Sequence, residues 1–108
     1  MWFATMTLEL EQSRDSVGPV LQRGAAADAV VAAIRTLNPS AALLDRGAYV
    51  RVLVPHRCVV TRVAIEERLG RPFVLPRDLE AIMSAFKGRF CVDDERAVWE
   101  FRMREGGT

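Results

Sequence analysis

Residues 49–54 read Tyr-Val-Arg-Val-Leu-Val, and their hydrophobicity alternates with a period of two. Val50, Val52 and Val54 fall on one face of this segment. Such alternation is typical of a β-strand that buries one side and exposes the other. We therefore predict a strand here, with its valine face directed into the core of the protein.

Shorter strands are predicted on both sides of this segment, at residues 42–45 and 58–61. The connections between the three strands, residues 46–48 and 55–57, are too short for a parallel crossover. The three strands are therefore predicted to form an antiparallel meander.

Three segments are predicted to be helices, and in the first and third of them apolar residues recur every three or four positions. The first covers residues 25–37 and stops at the Asn-Pro pair that follows. The second begins at residue 61 or 62 and is ended by Gly70. The third covers residues 76–87 and is ended by Gly88. The apolar positions of the third helix are Leu79, Ile82, Met83 and Phe86.

The remaining strands are grouped around the helices and do not alternate with them. Residues 17–21 are predicted to form an edge strand, because Pro19 cannot donate a backbone hydrogen bond. Residues 89–92 and 97–103 are predicted to be two strands joined by a turn. This grouping favours the α+β class. We predict one compact α+β domain over residues 16–104, with antiparallel strands and about three helices.

Both ends of the chain lack the patterns seen in the domain. Residues 1–15 are predicted to be a flexible N-terminal tail, and residues 105–108 a frayed end. Trp2 and Phe3 are unusual in a tail that is merely solvated. The tail either packs on the domain or becomes ordered on a partner, and we favour the second interpretation.

Length, composition and charge exclude several classes of function. The chain has 108 residues, enough for one domain, and its net charge of +1 argues against a nucleic-acid partner. It has no apolar run that could span a membrane and no secretory signal pattern. These features predict a cytoplasmic protein that does not bind membranes. Cys58 and Cys91 are accordingly expected to be buried, reduced core residues.

The groups needed for common catalytic and metal sites are missing from the sequence. His56 is the only histidine, and it lies in a predicted turn. One histidine and two cysteines cannot complete a structural zinc site, and no Glu-x-x-His pair is present for a di-iron centre. Glu66 and Glu67 are adjacent on a predicted helix and point in different directions. We therefore predict no catalytic residue, no metal and no cofactor, and a protein that acts by binding.

A series of short motifs occurs in a fixed order along the chain. The motifs are Val17-Gly18-Pro19-Val20, Asn38-Pro39, Asp45-Arg46, Ala48-Tyr49-Val50-Arg51, Thr61-Arg62, Glu67-x-Leu69-Gly70-Arg71-Pro72-Phe73, Leu79-Glu80 and Phe86-x-Gly88. With these motifs the chain resembles, over residues 16–102, the effector proteins of bacterial soluble di-iron monooxygenases, which are also called coupling or regulatory proteins. It looks most like the toluene monooxygenase effector, and less like the phenol hydroxylase and methane monooxygenase regulatory components.

The resemblance implies a cofactor-free protein that is not itself an enzyme. It would bind the hydroxylase component of a toluene- or phenol-type monooxygenase, whose own chain holds the two irons. Binding would tune O₂ activation, coupling and substrate access. Separately, we expect the free protein to be monomeric. The alternative function is a small ligand-binding or protein-interaction domain unrelated to oxygenases.

The resemblance also suggests where the hydroxylase would bind. In the methane monooxygenase relative, the segment that matches residues 82–86 lies against the hydroxylase. Ser84, Ala85 and Lys87 are expected to face outward on the third helix, whereas Phe86 is more typical of a core position. Tyr49 either faces the core or anchors a surface contact. The predicted contact residues are Ile82, Ser84, Ala85, Phe86, Lys87, Tyr49, Trp2 and Phe3.

Overall fold

The computed structural model describes residues 15–102, and the predicted contact residues Trp2 and Phe3 lie outside this range. The predicted flexibility of residues 1–15 and fraying of residues 105–108 therefore stay predictions. The described part contains seven strands and three helices, which confirms the α+β class. In chain order these are β1 (Ser16–Gln22), α1 (Ala25–Leu37), β2 (Ala42–Asp45), β3 (Tyr49–Pro55), β4 (Arg57–Thr61), α2 (Arg62–Leu69), α3 (Arg77–Ile82), β5 (Met83–Lys87), β6 (Arg89–Val92) and β7 (Arg96–Glu100).

The strands form two antiparallel sheets. The larger sheet has the order β2-β3-β1-β5, and the smaller has the order β4-β7-β6. The predicted edge position of β1 is wrong, because β1 pairs with β3 on one side and with β5 on the other. Its pairing with β3 covers residues 16–17 and 20–22. The missing N–H of Pro19 thus falls in a gap of that ladder, where it can be tolerated.

The predicted three-stranded meander is only partly correct. Strands β2 and β3 pair as expected, but β4 leaves this sheet and pairs with β7. The chain changes direction at His56, which has a positive φ of 65°. The His56 carbonyl accepts a hydrogen bond from the Phe101 N–H at 2.8 Å, beyond the end of β7. A short connection therefore does not guarantee that the strands it joins are paired.

The predicted third helix is wrong over its C-terminal half. Helix α3 ends at Ile82, and residues Met83–Lys87 form β5 instead. The apolar spacing in this segment fits a helix, but β1 provides a strand edge with which these residues pair. Tertiary pairing overrides local periodicity here. Consequently Ser84, Ala85 and Lys87 lie on a strand and not on the outer face of a helix.

The first two helices form where they were predicted, because their start and stop signals are local. The Thr61 hydroxyl accepts a hydrogen bond from the Ala64 N–H at 3.2 Å and caps α2. Gly70 ends α2 in the left-handed conformation. Beyond α1, the buried Asn38 side chain donates to the Val59 carbonyl at 2.7 Å and accepts from the Val59 N–H at 3.1 Å. This amide fastens the end of α1 to β4.

The core lies where the inner faces of both sheets meet α1. The valine face of β3 is buried as predicted, and Trp99 of β7 is fully buried. The two cysteines differ from each other. Cys58 is buried as predicted, and burial raises the pKa of its thiol to about 12. Cys91 is exposed, which contradicts the prediction, because alternation along β6 turns its side chain away from the core.

The chain passes from the larger sheet to the smaller one at Gly88, between β5 and β6. Gly88 has a φ of +104°, and a Cβ atom there would lie 2.6 Å from the Cγ1 of Val17 and 2.9 Å from the Glu100 carbonyl oxygen. Val17 belongs to the larger sheet and Glu100 to the smaller. Gly88 therefore occupies a corner in which the two sheets leave no room for a side chain.

We expect Gly88→Ala to lower the free energy of unfolding by about 3 kcal/mol or more, because backbone strain and overpacking add together. The matched control is Gly47→Ala, which also has a positive φ but has no atom within 4 Å of the added Cβ. The free energy of unfolding of this control should fall by only about 1–2 kcal/mol. Urea unfolding of both variants measures the difference, and equal losses would show that the corner can relax.

Candidate protein interface

The outer face of the larger sheet carries a row of side chains that crosses all four strands. Leu44 of β2 lies opposite Arg51 of β3, which lies opposite Val20 of β1, which in turn lies opposite Ala85 of β5. Leu44 is 38% exposed, and Ala85 is also exposed. Tyr49 is on the same face of β3 and is 41% exposed, so of its two interpretations the surface position is correct. The face combines apolar side chains with a central cation.

The middle of this face is hollow. A depression of about 410 Å³ is lined by Val20, Arg46, Tyr49, Arg51, Ser84 and Ala85. Its walls come from β1, β3, β5 and the turn between β2 and β3. Three residues that sequence analysis predicted to contact a partner, Tyr49, Ser84 and Ala85, are therefore brought together.

An irregularity in β5 shapes one side of the depression. Ala85 pairs with Val20, but the next residue of β1, Leu21, pairs with Met83. Ser84 is thus an extra residue in β5, a β-bulge. Both Ser84 and Ala85 line the depression. Because these side chains are small, another protein could approach the strand closely at this point.

The turn between β2 and β3 is held by hydrogen bonds centred on Asp45. Its carboxylate accepts from the Gly47 N–H at 2.9 Å and forms an ion pair with Arg23. Arg23 also donates to the Gly47 carbonyl at 3.0 Å. The Arg46 N–H donates to the Tyr49 carbonyl at 2.9 Å. These bonds fix the backbone from which the Arg46 and Tyr49 side chains project.

The other predicted contact residues lie elsewhere. Lys87 is further along the outer face of β5, opposite Gly18. Ile82 is half-buried against the core. Phe86 is 47% exposed, although its spacing suggested a core position, and its ring centre lies 5.2 Å from that of Phe90. Phe90 in turn stacks on Trp99 at 5.2 Å. Phe86 thus ends an aromatic series on the side of β5 away from the depression.

Sequence reasoning missed Val20, Arg46 and Arg51 as site residues. The outward position of Arg51 follows from the alternation of β3, but nothing in the sequence shows that β5 flanks the same face. Val20 was placed on an edge strand, so its central position was hidden. Arg46 was seen only as part of a turn, with no signal that its side chain reaches the sheet face.

Within residues 15–102, no group of three or more His, Cys, Asp and Glu side chains is arranged to hold a metal ion. None of the helices in that range is long and apolar enough to cross a membrane.

Residues 15–100 match the MmoB/DmpM family. The chain belongs to the MmoB/DmpM family. A relative in Xanthobacter autotrophicus, the effector subunit of an alkene monooxygenase system, is 40% identical over 94 residues. The match covers 85% of this chain and 92% of that protein. This family membership confirms the resemblance found in the sequence.

Solved structures that include monooxygenase regulatory proteins share the fold. One structure of a complex of phenol hydroxylase with its regulatory protein matches with a TM-score of 0.71 at 23% identity, covering 81% of this chain and 98% of that chain. A second such complex matches with a TM-score of 0.68 at 26% identity, covering 80% of this chain and 99% of that chain. Regulatory protein B of soluble methane monooxygenase matches with a TM-score of 0.63 at 22% identity, covering 82% of this chain and 67% of that chain.

These relatives are named effector or regulatory components of monooxygenases and not catalytic ones. The prediction of a non-catalytic monooxygenase effector is therefore confirmed. Its assignment to a toluene monooxygenase is not decided by these relatives and stays a prediction.

We expect the Asp45 carboxyl to titrate below its ordinary pKa, first because it accepts the Gly47 N–H and second because it pairs with Arg23. A carboxyl with a lowered folded-state pKa stabilises the fold above the unfolded value, near pH 4, and this contribution is lost as the pH falls through the folded-state pKa. NMR titration of the Asp45 carboxyl carbon measures the pKa directly. In Arg23→Gln the pKa should rise but stay below normal, since the backbone hydrogen bond remains. An ordinary pKa in the parent protein would contradict this account of the turn.

Proposed function

We propose that this effector acts by docking the outer face of its four-stranded sheet on the hydroxylase component of a multicomponent di-iron monooxygenase. The observation that carries the proposal is the membership in the MmoB/DmpM family, with an alkene monooxygenase effector subunit as a relative over nearly its full length. A phenol hydroxylase regulatory protein of the same fold, 26% identical, is found in a complex with its hydroxylase.

The exposed sheet face supports this docking surface. Soluble proteins usually cover the apolar side of a sheet, and an open apolar face generally marks an interaction site. Leu44, Val20 and Ala85 form such a face, and the bulge at Ser84 adds a place of close approach. The depression can receive a side chain that projects from the partner. Most of this surface is β-structure, so it is more rigid than a loop would be.

We further propose that the partner hydroxylase oxidises a small unsaturated hydrocarbon. The relative in the alkene monooxygenase system supports an alkene, whereas the sequence motifs pointed to toluene or phenol. An alkene and toluene are both apolar hydrocarbons with π-bonds. Assays with a short alkene and with toluene on the same reconstituted system separate the two substrates.

Three further features belong to the proposal. The effector works in the cytoplasm together with the soluble hydroxylase, and it is monomeric when free. Trp2 and Phe3 contact the hydroxylase in addition to the sheet face, which would bury about 150–250 Å² of each aromatic side chain.

The test of function is reconstitution. The purified effector alone should oxidise neither substrate, and adding it to hydroxylase and reductase should raise turnover and the fraction of reductant coupled to product several-fold. Unchanged turnover and coupling over a full titration with effector would contradict the proposal. Activity of the effector alone would contradict its non-catalytic role.

For the docking surface we expect Ala85→Arg to weaken hydroxylase binding by about tenfold or more, because a bulky charge would fill the depression and be buried in the contact. Its melting temperature should stay close to that of the parent, since Ala85 is exposed. The matched control is Val63→Arg, because Val63 is 51% exposed on α2 and α2 packs on α1 and β4. If the two variants activate the hydroxylase equally well, the outer sheet face is not the docking surface.

A further inference from the structure

We propose that Arg46 and Arg51, together with the Tyr49 hydroxyl, form a receptor for one carboxylate side chain that the hydroxylase inserts into the depression. This inference rests on the proposed function, and it adds the chemistry by which the docking surface recognises its partner. It predicts that a Glu or Asp of the hydroxylase lies at the centre of the contact, with apolar contacts around it.

The ion pairs of the described residues leave these two arginines unused. Within residues 15–102, ion pairs join Arg23 to Asp45, Arg57 to Glu100, Arg62 to Glu66 and Glu95, and Arg77 to Asp78. Arg46 and Arg51 take part in none of them, yet they line the same depression. Asp45 is the acidic residue next to Arg46, but it is already committed to Arg23 and to the Gly47 N–H. The depression therefore carries two positive charges, and no acidic residue of the described range lines it.

The surroundings of Arg51 favour a strong interaction with a carboxylate. Arg51 is half-buried, and on the sheet it has Leu44 on one side and Val20 on the other. These apolar neighbours exclude water from the guanidinium once a partner covers the face, which strengthens its attraction to a negative charge. A guanidinium can donate two parallel hydrogen bonds to one carboxylate, a geometry that an ammonium group cannot reproduce.

Arg46 and Tyr49 reach the depression from the turn between β2 and β3. The N–H of Arg46 is bonded to the Tyr49 carbonyl at 2.9 Å, so the two residues are held next to each other. Asp45 and Arg23 fix the rest of this turn. The entropy cost of ordering the site on binding is thereby reduced to the side chains themselves. A fixed turn with one cation and one hydroxyl donor complements the guanidinium on β3.

The site fits a protein carboxylate better than a polyanion. Nucleic-acid binding requires many cations spread along a face, and the whole chain has a net charge of only +1. Here only two arginines line a single depression of about 410 Å³, beside the apolar side chains of Val20 and Ala85. An ion pair enclosed in a protein interface can set the orientation and specificity of the partners.

The experiment measures the dissociation constant between hydroxylase and effector, by calorimetry at low and at moderate salt, for Arg46→Glu, Arg51→Glu and Arg51→Lys. The matched control is Arg35→Glu, which makes the same change of net charge in the last turn of α1. Both depression variants carrying Glu should bind about tenfold or more weaker than the control. Arg51→Lys should fall between the parent and Arg51→Glu, because it keeps the charge but loses the paired hydrogen bonds. The salt dependence of binding should decrease in the Glu variants more than in the control.

The possible failures are distinguishable. If the parent effector binds and activates the hydroxylase but the depression variants bind as the control does, the carboxylate receptor is overturned and the proposed function stands. If the parent itself fails to bind, both are overturned. Melting curves of all variants are compared with that of the parent, and Arg51→Lys supplies a second, milder change in case Arg51→Glu weakens the sheet. Binding of Arg51→Lys at parental affinity would overturn the paired geometry.

Discussion

The close approach of β1 to its neighbours is the constraint on which the architecture depends. At Gly18 an added Cβ atom would clash with the Val52 carbonyl oxygen, and at Gly88 it would clash with Val17 of β1. Because these two residues are glycines, β3 and the corner after β5 can both lie close to β1. Because β1 also packs against β4 and β7 of the second sheet, its position sets the spacing of both layers. The core on its inner side and the proposed docking face on its outer side follow from this placement.

The register around β1 determines which residues make up the proposed docking face. Residues 44, 51, 20 and 85 are scattered along the chain, and only strand pairing aligns them. A shift of one residue in β1 would turn Val20 inward and bring Leu21 out of the core. Burial of Val17 and Leu21 opposes such a shift, because a one-residue slip of β1 would turn both side chains to the exposed face. Hydrophobic burial on one side of the sheet therefore specifies which side chains meet on the other.

Local signals allowed much of the fold to be predicted from the sequence. Helix α1 has clear apolar periodicity and ends at an Asn-Pro pair, and α2 begins at a Thr cap and ends at Gly70, so their bounds depend on few distant residues. The alternation of β3 likewise identified its buried face. The errors occur where distant strands decide the outcome. Residues 83–87 satisfy helical spacing but pair with β1, and β4 follows β3 closely yet joins β7. The candidate site was predicted only in part for the same reason: Tyr49, Ser84 and Ala85 were named, but their convergence with Arg46 and Arg51 exists only in the assembled sheet.

The unequal burial of the two cysteines has a practical consequence. The Cys58 thiol is enclosed in the core with its pKa raised to about 12, so it is almost entirely protonated at neutral pH and inaccessible to reagents. Cys91 is exposed on β6, in the sheet that does not carry the depression. A maleimide dye or a nitroxide spin label should therefore attach at one position of the unmodified chain. Cys91 thus provides a single labelling site, which lies on the smaller sheet and not on the sheet proposed to contact the hydroxylase.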